Sequence, residues 1–353
     1  MSTETVADLG EHALIAKIHA RIPPSPPSVR VGIGDDAAVI EPDRGTLFLV
    51  TTDALVEGVH FDRGLAPMDA IGHKALAVNF SDLASMGARP RHVLLSLALP
   101  PTLLVTELDL LLDGLLALAA RHQTALVGGN ITRSPGPLFV DVTAVGSAKR
   151  RRILTRSGAR AGDDLYVSGE VGGAAAGLES LRESQTASRS SDALLACQHR
   201  YLWPEPRVRL GTQLGRNRAA RACIDLSDGL ADGIRQLSTA SGLGAAIDAE
   251  LIPVAPSART WFTGHGFDPV SASLTGGDDY ELLFAVPRSM RQRLEAACRL
   301  SGGLAVTRIG RLTQDPALVL LHDGSEGALA HGYEHFRTTD VDPQSVRRDS
   351  PEA

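Results

Sequence analysis

Residues 79–88 read Asn79-Phe80-Ser81-Asp82-Leu83-Ala84-Ser85-Met86-Gly87-Ala88. Ala75, Val78, Leu83 and Met86 recur at helical spacing, so residues 71–86 form a helix that Gly87 ends. Asp82 lies inside it, although aspartate is a poor helix former. Upstream, residues 47–52 are β-branched and apolar, a strand that stops at Asp53. Short strand-like runs at 29–33 and 37–40 flank Gly34-Asp35-Asp36. The prolines at 23–27 end a short helix over 14–20. Downstream, a strand spans 92–98 and a long helix 103–122. Strands at 125–127 and 138–147 follow, with a polar loop between them. The basic run 149–152 reads as a solvated linker at a domain boundary.

The second half repeats the mixed pattern. Strands fall at 164–168, 223–225, 245–248, 282–286, 306–312 and 318–321. Helices fall at 174–182, 229–241 and 290–301. Residues 183–192 are polar and Ser-rich, a loop expected to be mobile. We read an α+β chain of two domains, 1–148 and 149–339, with a disordered tail over 340–353. Periodicity does not supply their topology.

The acidic residues carry the chemistry. Asp35 and Asp36, Asp53, Asp82, Asp225 and Asp228 (Ile224-Asp-Leu-Ser-Asp-Gly-Leu) and Asp278 and Asp279 (Gly276-Gly-Asp-Asp-Tyr-Glu-Leu) all sit among glycine or apolar neighbours. Each has a bland reading: Gly-Asp-Asp is also a turn, and Asp225-Leu-Ser-Asp is also a helix N-cap. Together they suggest one cleft. Two carboxylates 4 Å apart repel by roughly 4 kcal/mol at an effective dielectric near 20. Magnesium removes that cost, because it takes oxygen ligands and bridges carboxylates to phosphates.

Other classes are excluded. There is no G-x-x-x-x-G-K-[ST] loop, no H-R-D or D-F-G set, no H-E-x-x-H and no G-x-S-x-G. Gly169-Glu-Val-Gly-Gly lacks dinucleotide spacing. The net charge of −6 over 353 residues argues against binding nucleic acid duplexes. Cys197, Cys223 and Cys298 form no C-x-x-C pair, which fits a reducing compartment. No leader and no apolar run of about 18 residues is seen. The expectation is a cytoplasmic protein without a membrane partner.

With these residues in place, the chain resembles the thiamine-monophosphate kinase family. Gly34-Asp-Asp, Thr51-Thr-Asp, Gly58-Val-His-Phe, the 79–88 stretch, Gly128-Gly-Asn, Leu154-Thr-Arg-Ser-Gly-Ala, Ile224-Asp-Leu-Ser-Asp-Gly-Leu, Gly276-Gly-Asp-Asp-Tyr-Glu-Leu and Gly332-Tyr-Glu-His-Phe carry the likeness. Some of these motifs are shared with aminoimidazole ribonucleotide synthetase and selenophosphate synthetase. The resemblance implies the synthetase-like two-domain fold, with N-terminal strands forming a β-barrel across a homodimer. It implies direct transfer of the ATP γ-phosphate onto thiamine monophosphate, assisted by several Mg2+ ions, with no phosphoenzyme. Metal ligands carried over are Asp36, Thr51, Thr52, Asp53, Asp82, Asn130, Asp225 and Asp228, the aspartates also counting as catalytic. ATP contacts are Gly129, Asn130, Arg156 and Ser227. Acceptor contacts are His60, Asp278 and Tyr333.

The chain departs from the family pattern twice. Asn130 stands where the family usually has aspartate, which removes a negative charge. Asp278 stands where glutamate is common. The alternatives are another ATP-dependent enzyme of the superfamily, such as a ribonucleotide cyclase, or a homologue that binds without turnover. The absence of an N-terminal Cys nucleophile counts against selenophosphate synthesis, and Gly58-Val-His-Phe against the cyclase.

Overall fold

A computed structural model describes residues 3–33, 37–184 and 192–330. Asp35, Asp36, Tyr333, the Ser-rich stretch from 185 to 191 and the 340–353 tail lie outside the described residues. The strands in chain order are β1 (Val29–Val31), β2 (Val39–Ile40), β3 (Leu47–Val56), β4 (Arg89–Leu99), β5 (Ala125–Arg133), β6 (Phe139–Ala148), β7 (Asp164–Ser168), β8 (Ala222–Asp225), β9 (Gly244–Asp248), β10 (Leu282–Val286), β11 (Val306–Thr313), β12 (Leu318–His322) and β13 (Ser325–Ala328). β1 and β2 pair as a small ribbon. The order β3-β6-β4-β5 makes an open four-stranded sheet, and β13-β12-β9-β11-β7-β10-β8 a seven-stranded one.

Alternation gives the four-stranded sheet two unlike faces. Leu49, Leu55, Val93, Leu95, Leu97, Val140 and Val142 are buried on one face. That face joins the core formed with the helices Met68–Ser85 and Val105–Arg121. These two helices nearly touch. A Cβ on Gly72 would lie 1.8 Å from the Leu111 carbonyl oxygen, and one on Gly114 would lie 1.8 Å from that of Asp69. The opposite face leaves Phe48, Val50 and Leu94 exposed at 47%, 66% and 37%.

The seven-stranded sheet is covered on both faces. Leu165, Val167, Ile224, Leu283 and Ala285 pack into one core. Cys223, Leu282, Phe284 and Val286 join the core that continues into the N-terminal half. The helix Val208–Asn217 meets the helix Met68–Ser85 at Gly211, whose Cβ would fall 1.9 Å from the Ala84 carbonyl oxygen.

Three local expectations are corrected. β3 does not stop at Asp53. It runs on to Val56, paired with β6 along its whole length, so Asp53 projects from mid-strand opposite Val142. β5 does not end at Val127. Residues 128–133 pair in parallel with 94–99, and backbone hydrogen bonding at the sheet edge overrides the turn preference of Gly128-Gly129-Asn130. The helix Leu230–Ser241 is capped by Gly229 with no side-chain bond, so neither Asp225 nor Asp228 is an N-cap. The helices Asp192–Leu202, Val208–Asn217, Pro256–Gly264 and Pro269–Thr275 were not anticipated by the periodicity.

Candidate active site

One helix organises the site. On Met68–Ser85, Lys74, Ser81 and Asp82 fall seven and eight residues apart, hence on one stripe. Each reaches a different partner. Thr51 Oγ1 on β3 donates to Asp82 Oδ2. Ser81 Oγ donates to Asp225 Oδ2 at 2.7 Å. Lys74 Nζ lies 3.0 Å from Asp278 Oδ2. The helix therefore bridges an N-terminal strand, the end of β8 and a C-terminal loop.

Asp53 points to the same face of β3 as Thr51, beside Asp82. Burial, then the charges of Asp82 and Asp225, raise its carboxyl well above the usual carboxylate range. Asp225 ends β8 and is buried. Burial and then the Asp82 charge raise it too, against the Ser81 hydrogen bond and the Arg156 charge. Among the described residues no group of three or more His, Cys, Asp or Glu side chains is placed to hold a metal ion. Asp53, Asp82 and Asp225 form a looser group of mutually repelling oxygens with no cation paired to them as a salt bridge among the described residues.

The loops behind this group are stitched together. The Asp278 N–H donates to the Ser227 carbonyl at 2.7 Å, and the Tyr280 N–H to that of Leu226 at 2.9 Å. A Cβ on Gly277 would meet the Ser227 oxygen at 2.5 Å, so the position needs glycine. Asp278 adopts a left-handed φ of 67°. Ser227 Oγ donates to Asp228 Oδ2 at 2.8 Å. Arg156 donates to Gln236 Oε1 at 2.6 Å and is exposed.

Other sequence-derived residues lie apart. The Thr52 hydroxyl is on the opposite face of β3, 3.0 Å from Thr143 Oγ1 and 3.2 Å from Asp141 Oδ1. Asn130 pairs with Ser96, which pairs with Asp141, so pleat parity sets Asn130 on that same outward face. Gly129 stands level with Asp53 across the sheet, three strands away, roughly 14 Å at the usual strand spacing. His60 Nδ1 accepts the Val56 N–H at 3.1 Å, which folds the ring back on the end of β3.

Several polar residues near the site were missed. In Gly276-Gly-Asp-Asp-Tyr-Glu the second and third acids have structural jobs unlike that of Asp278. Asp279 is buried and accepts the N–H groups of Gly172 (2.6 Å) and Ala174 (3.2 Å) at the start of the helix Gly173–Ser184. Glu281 is fully buried and held by Ser168 (2.6 Å), Arg200 (3.1 Å) and Arg207. The helical spacing of Lys74 from Asp82 was a usable signal. Nothing in the sequence pointed to Arg200 or Arg207.

Known proteins bear on this arrangement. Residues 34–148 match the model of the AIR synthase related protein N-terminal domain, and 160–323 that of its C-terminal domain. The thiamine-monophosphate kinase of Escherichia coli K12 is 39% identical over 337 residues, covering 93% of this chain and 99% of its own. The crystal structure of the thiamine-monophosphate kinase from Stenotrophomonas maltophilia superposes with a TM-score of 0.77 at 36% identity, over 89% of this chain and 95% of that one. A structure of AaThiL complexed with AMPPCP and TMP gives a TM-score of 0.72 at 32% identity, over 93% and 97%.

Proposed function

Because this chain belongs to the thiamine-monophosphate kinase family, within the AIR synthase related proteins, we propose that it transfers the γ-phosphoryl group of ATP onto the phosphate of thiamine monophosphate. The products are thiamine diphosphate and ADP. The observation that carries the reading is the meeting of Asp53, Asp82 and Asp225 between the two sheets. Two anionic phosphates react only where opposing charge is neutralised, and a dense group of carboxylates is where divalent cations collect.

The donor types suit magnesium, although the described side chains are not gathered into a metal-holding group. The set offers hard oxygens from Asp53, Asp82, Asp225 and Thr51, and two of its carboxyls are destabilised as anions by burial and mutual repulsion. When bound, the metal neutralises charge on the transferred phosphoryl group. Asp36 and Asp228 join these ligands in our reading. Thr52 and Asn130, on the outward face, complete the set only if that face also borders a site.

Gly129, Asn130, Arg156 and Ser227 are proposed to contact ATP, with the Arg156 fork suited to phosphate oxygens. His60, Asp278 and Tyr333 are proposed for the acceptor. Transfer is in line between the two substrates, without a phosphoenzyme.

The exposed Phe48, Val50 and Leu94 support a homodimer that pairs the bare sheet faces into a barrel. Val50→Asp should then give a monomer in sedimentation. No described helix is long and apolar enough to cross a membrane. All three thiols are free, as in a reducing cytoplasm. Domains 1–148 and 149–339 remain the proposed division.

The test is product analysis. ATP, magnesium and thiamine monophosphate should give thiamine diphosphate and ADP in equal amounts. ADP release without thiamine diphosphate would refute the assignment.

A further inference from the structure

Lys74 has no part in the roles assigned above. Its side chain is 6% exposed, and burying an ammonium is costly unless it is paired. It is paired twice. Nζ lies 3.0 Å from Asp278 Oδ2 and 4.1 Å from the centre of the Tyr201 ring. A buried ion pair is seldom the most stable choice, since apolar residues of similar volume often do better. Its retention here calls for another reason.

The carboxylate is fixed from three directions. The Tyr280 hydroxyl donates to Asp278 Oδ1 at 2.9 Å, Lys74 holds Oδ2, and the Asp278 N–H is tied to Ser227. The Asp278 side chain is nevertheless 31% exposed, so a carboxylate with a buried anchor stays open to solvent. Lys74 and Tyr201 also line a small cavity with Leu55 and Phe61, behind the turn that carries His60. Lys74 thus touches Asp278 directly and shares a cavity wall with Phe61, the chain neighbour of His60.

We propose that Lys74 is a positioning residue for the acceptor: seated on the Tyr201 ring, its ammonium holds the Asp278 carboxylate where it accepts a hydrogen bond from the cationic, N–H-bearing ring system of the phosphate ester. This rests on the kinase reading above. The lysine charge also offsets the aspartate, so the subsite selects by directed hydrogen bonding more than by net attraction. ATP lies outside this contact.

The experiment is steady-state kinetics of full-length Lys74→Met, Lys74→Arg, Asp278→Asn and Lys74→Met/Asp278→Asn, with thermal denaturation as a control. Lys74→Met should raise KM for thiamine monophosphate about tenfold, the scale of one charge-assisted hydrogen bond. KM for ATP and kcat should move less than about twofold. Lys74→Arg, which keeps the charge and the ring contact, should recover most of the loss. Adding Lys74→Met to Asp278→Asn should add nothing. An unchanged acceptor KM in Lys74→Met overturns the proposal. So does an equal effect on both substrates, which marks a purely structural role. If Lys74→Met does not fold, Lys74→Arg and Asp278→Asn decide: Asp278→Asn must raise the acceptor KM alone, and Lys74→Arg must not worsen it. Wild-type protein that makes no thiamine diphosphate refutes the kinase reading itself, and the proposal with it.

Discussion

Two acidic regions of this molecule, both built on carboxylates, behave in opposite ways. Glu281 is fully buried and carries Arg200, Arg207 and a serine hydroxyl around it. Asp53, Asp82 and Asp225 repel one another; hydroxyl groups donate to Asp82 and Asp225, no described cation forms a salt bridge with the three, and the Arg156 charge acts on Asp225. The first region is electrostatically complete and belongs to the architecture. The second is incomplete in the protein alone, which is what a site for divalent cations and phosphates requires. The contrast also separates neighbours in sequence: Asp279 caps a helix while Asp278 stays part-exposed beside Lys74.

The contrast can be broken by substitution. Asp82→Asn or Asp225→Asn should lower kcat on the order of a thousandfold, as loss of a charge-stabilising group does. The fold should stay intact, since each change relieves repulsion, and thermal denaturation in metal-free buffer should show no loss of stability. Glu281→Gln should do the reverse. It leaves the half-buried Arg200 and Arg207 without their counter-charge, and unfolding in urea should show a loss of about 2 kcal/mol, the scale of a hydrogen bond to a charged group. A catalytic loss in folded Glu281→Gln larger than that of Asp82→Asn would erase the distinction.

The pH dependence sharpens it. Asp53 and Asp225 are each raised from 3.8 to about 7 by burial and by neighbouring charge, and Asp279 to about 7 chiefly by burial. Between these limits the folded chain binds more protons than the unfolded one, so stability falls as pH rises from about 4 to about 7. His73, His92 and His122, lowered mainly by burial, pull the other way, so the test is a difference: melting at pH 5 relative to pH 8 should be higher in metal-free wild type than in Asp53→Asn. Added magnesium should restore stability at pH 8 in wild type and less so in Asp53→Asn. A pH dependence of melting that Asp53→Asn leaves unchanged would contradict the raised carboxyl. The smallest effect is expected at Asn130. Asn130→Asp should lower the magnesium concentration for half-maximal rate about threefold, and an unchanged value would remove this residue from the metal site.

Much of this was legible in the sequence. The helix around Asp82, the strand before Asp53 and the two Asp-rich loops were all marked by acidic residues among apolar or glycine neighbours. Sequence could not show that β3 continues past Asp53, because the pairing with β6 that carries it is non-local. For the same reason Thr52 counted as a neighbour of Asp53, although strand alternation puts its hydroxyl on the other face. The arginines around Glu281 were invisible because they lie 74 and 81 residues away in the chain. Short-range pattern reveals which acids are unusual, and tertiary pairing then decides which of them are satisfied.

The most direct measurement is a crystal of the full chain grown with a non-hydrolysable ATP analogue and Mn2+ in place of magnesium, examined by anomalous scattering. The account predicts metal peaks within coordinating distance of Asp53, Asp82 and Asp225, between the carboxylates and the nucleotide phosphates. Nucleotide bound elsewhere, with no metal among these three side chains, would contradict it.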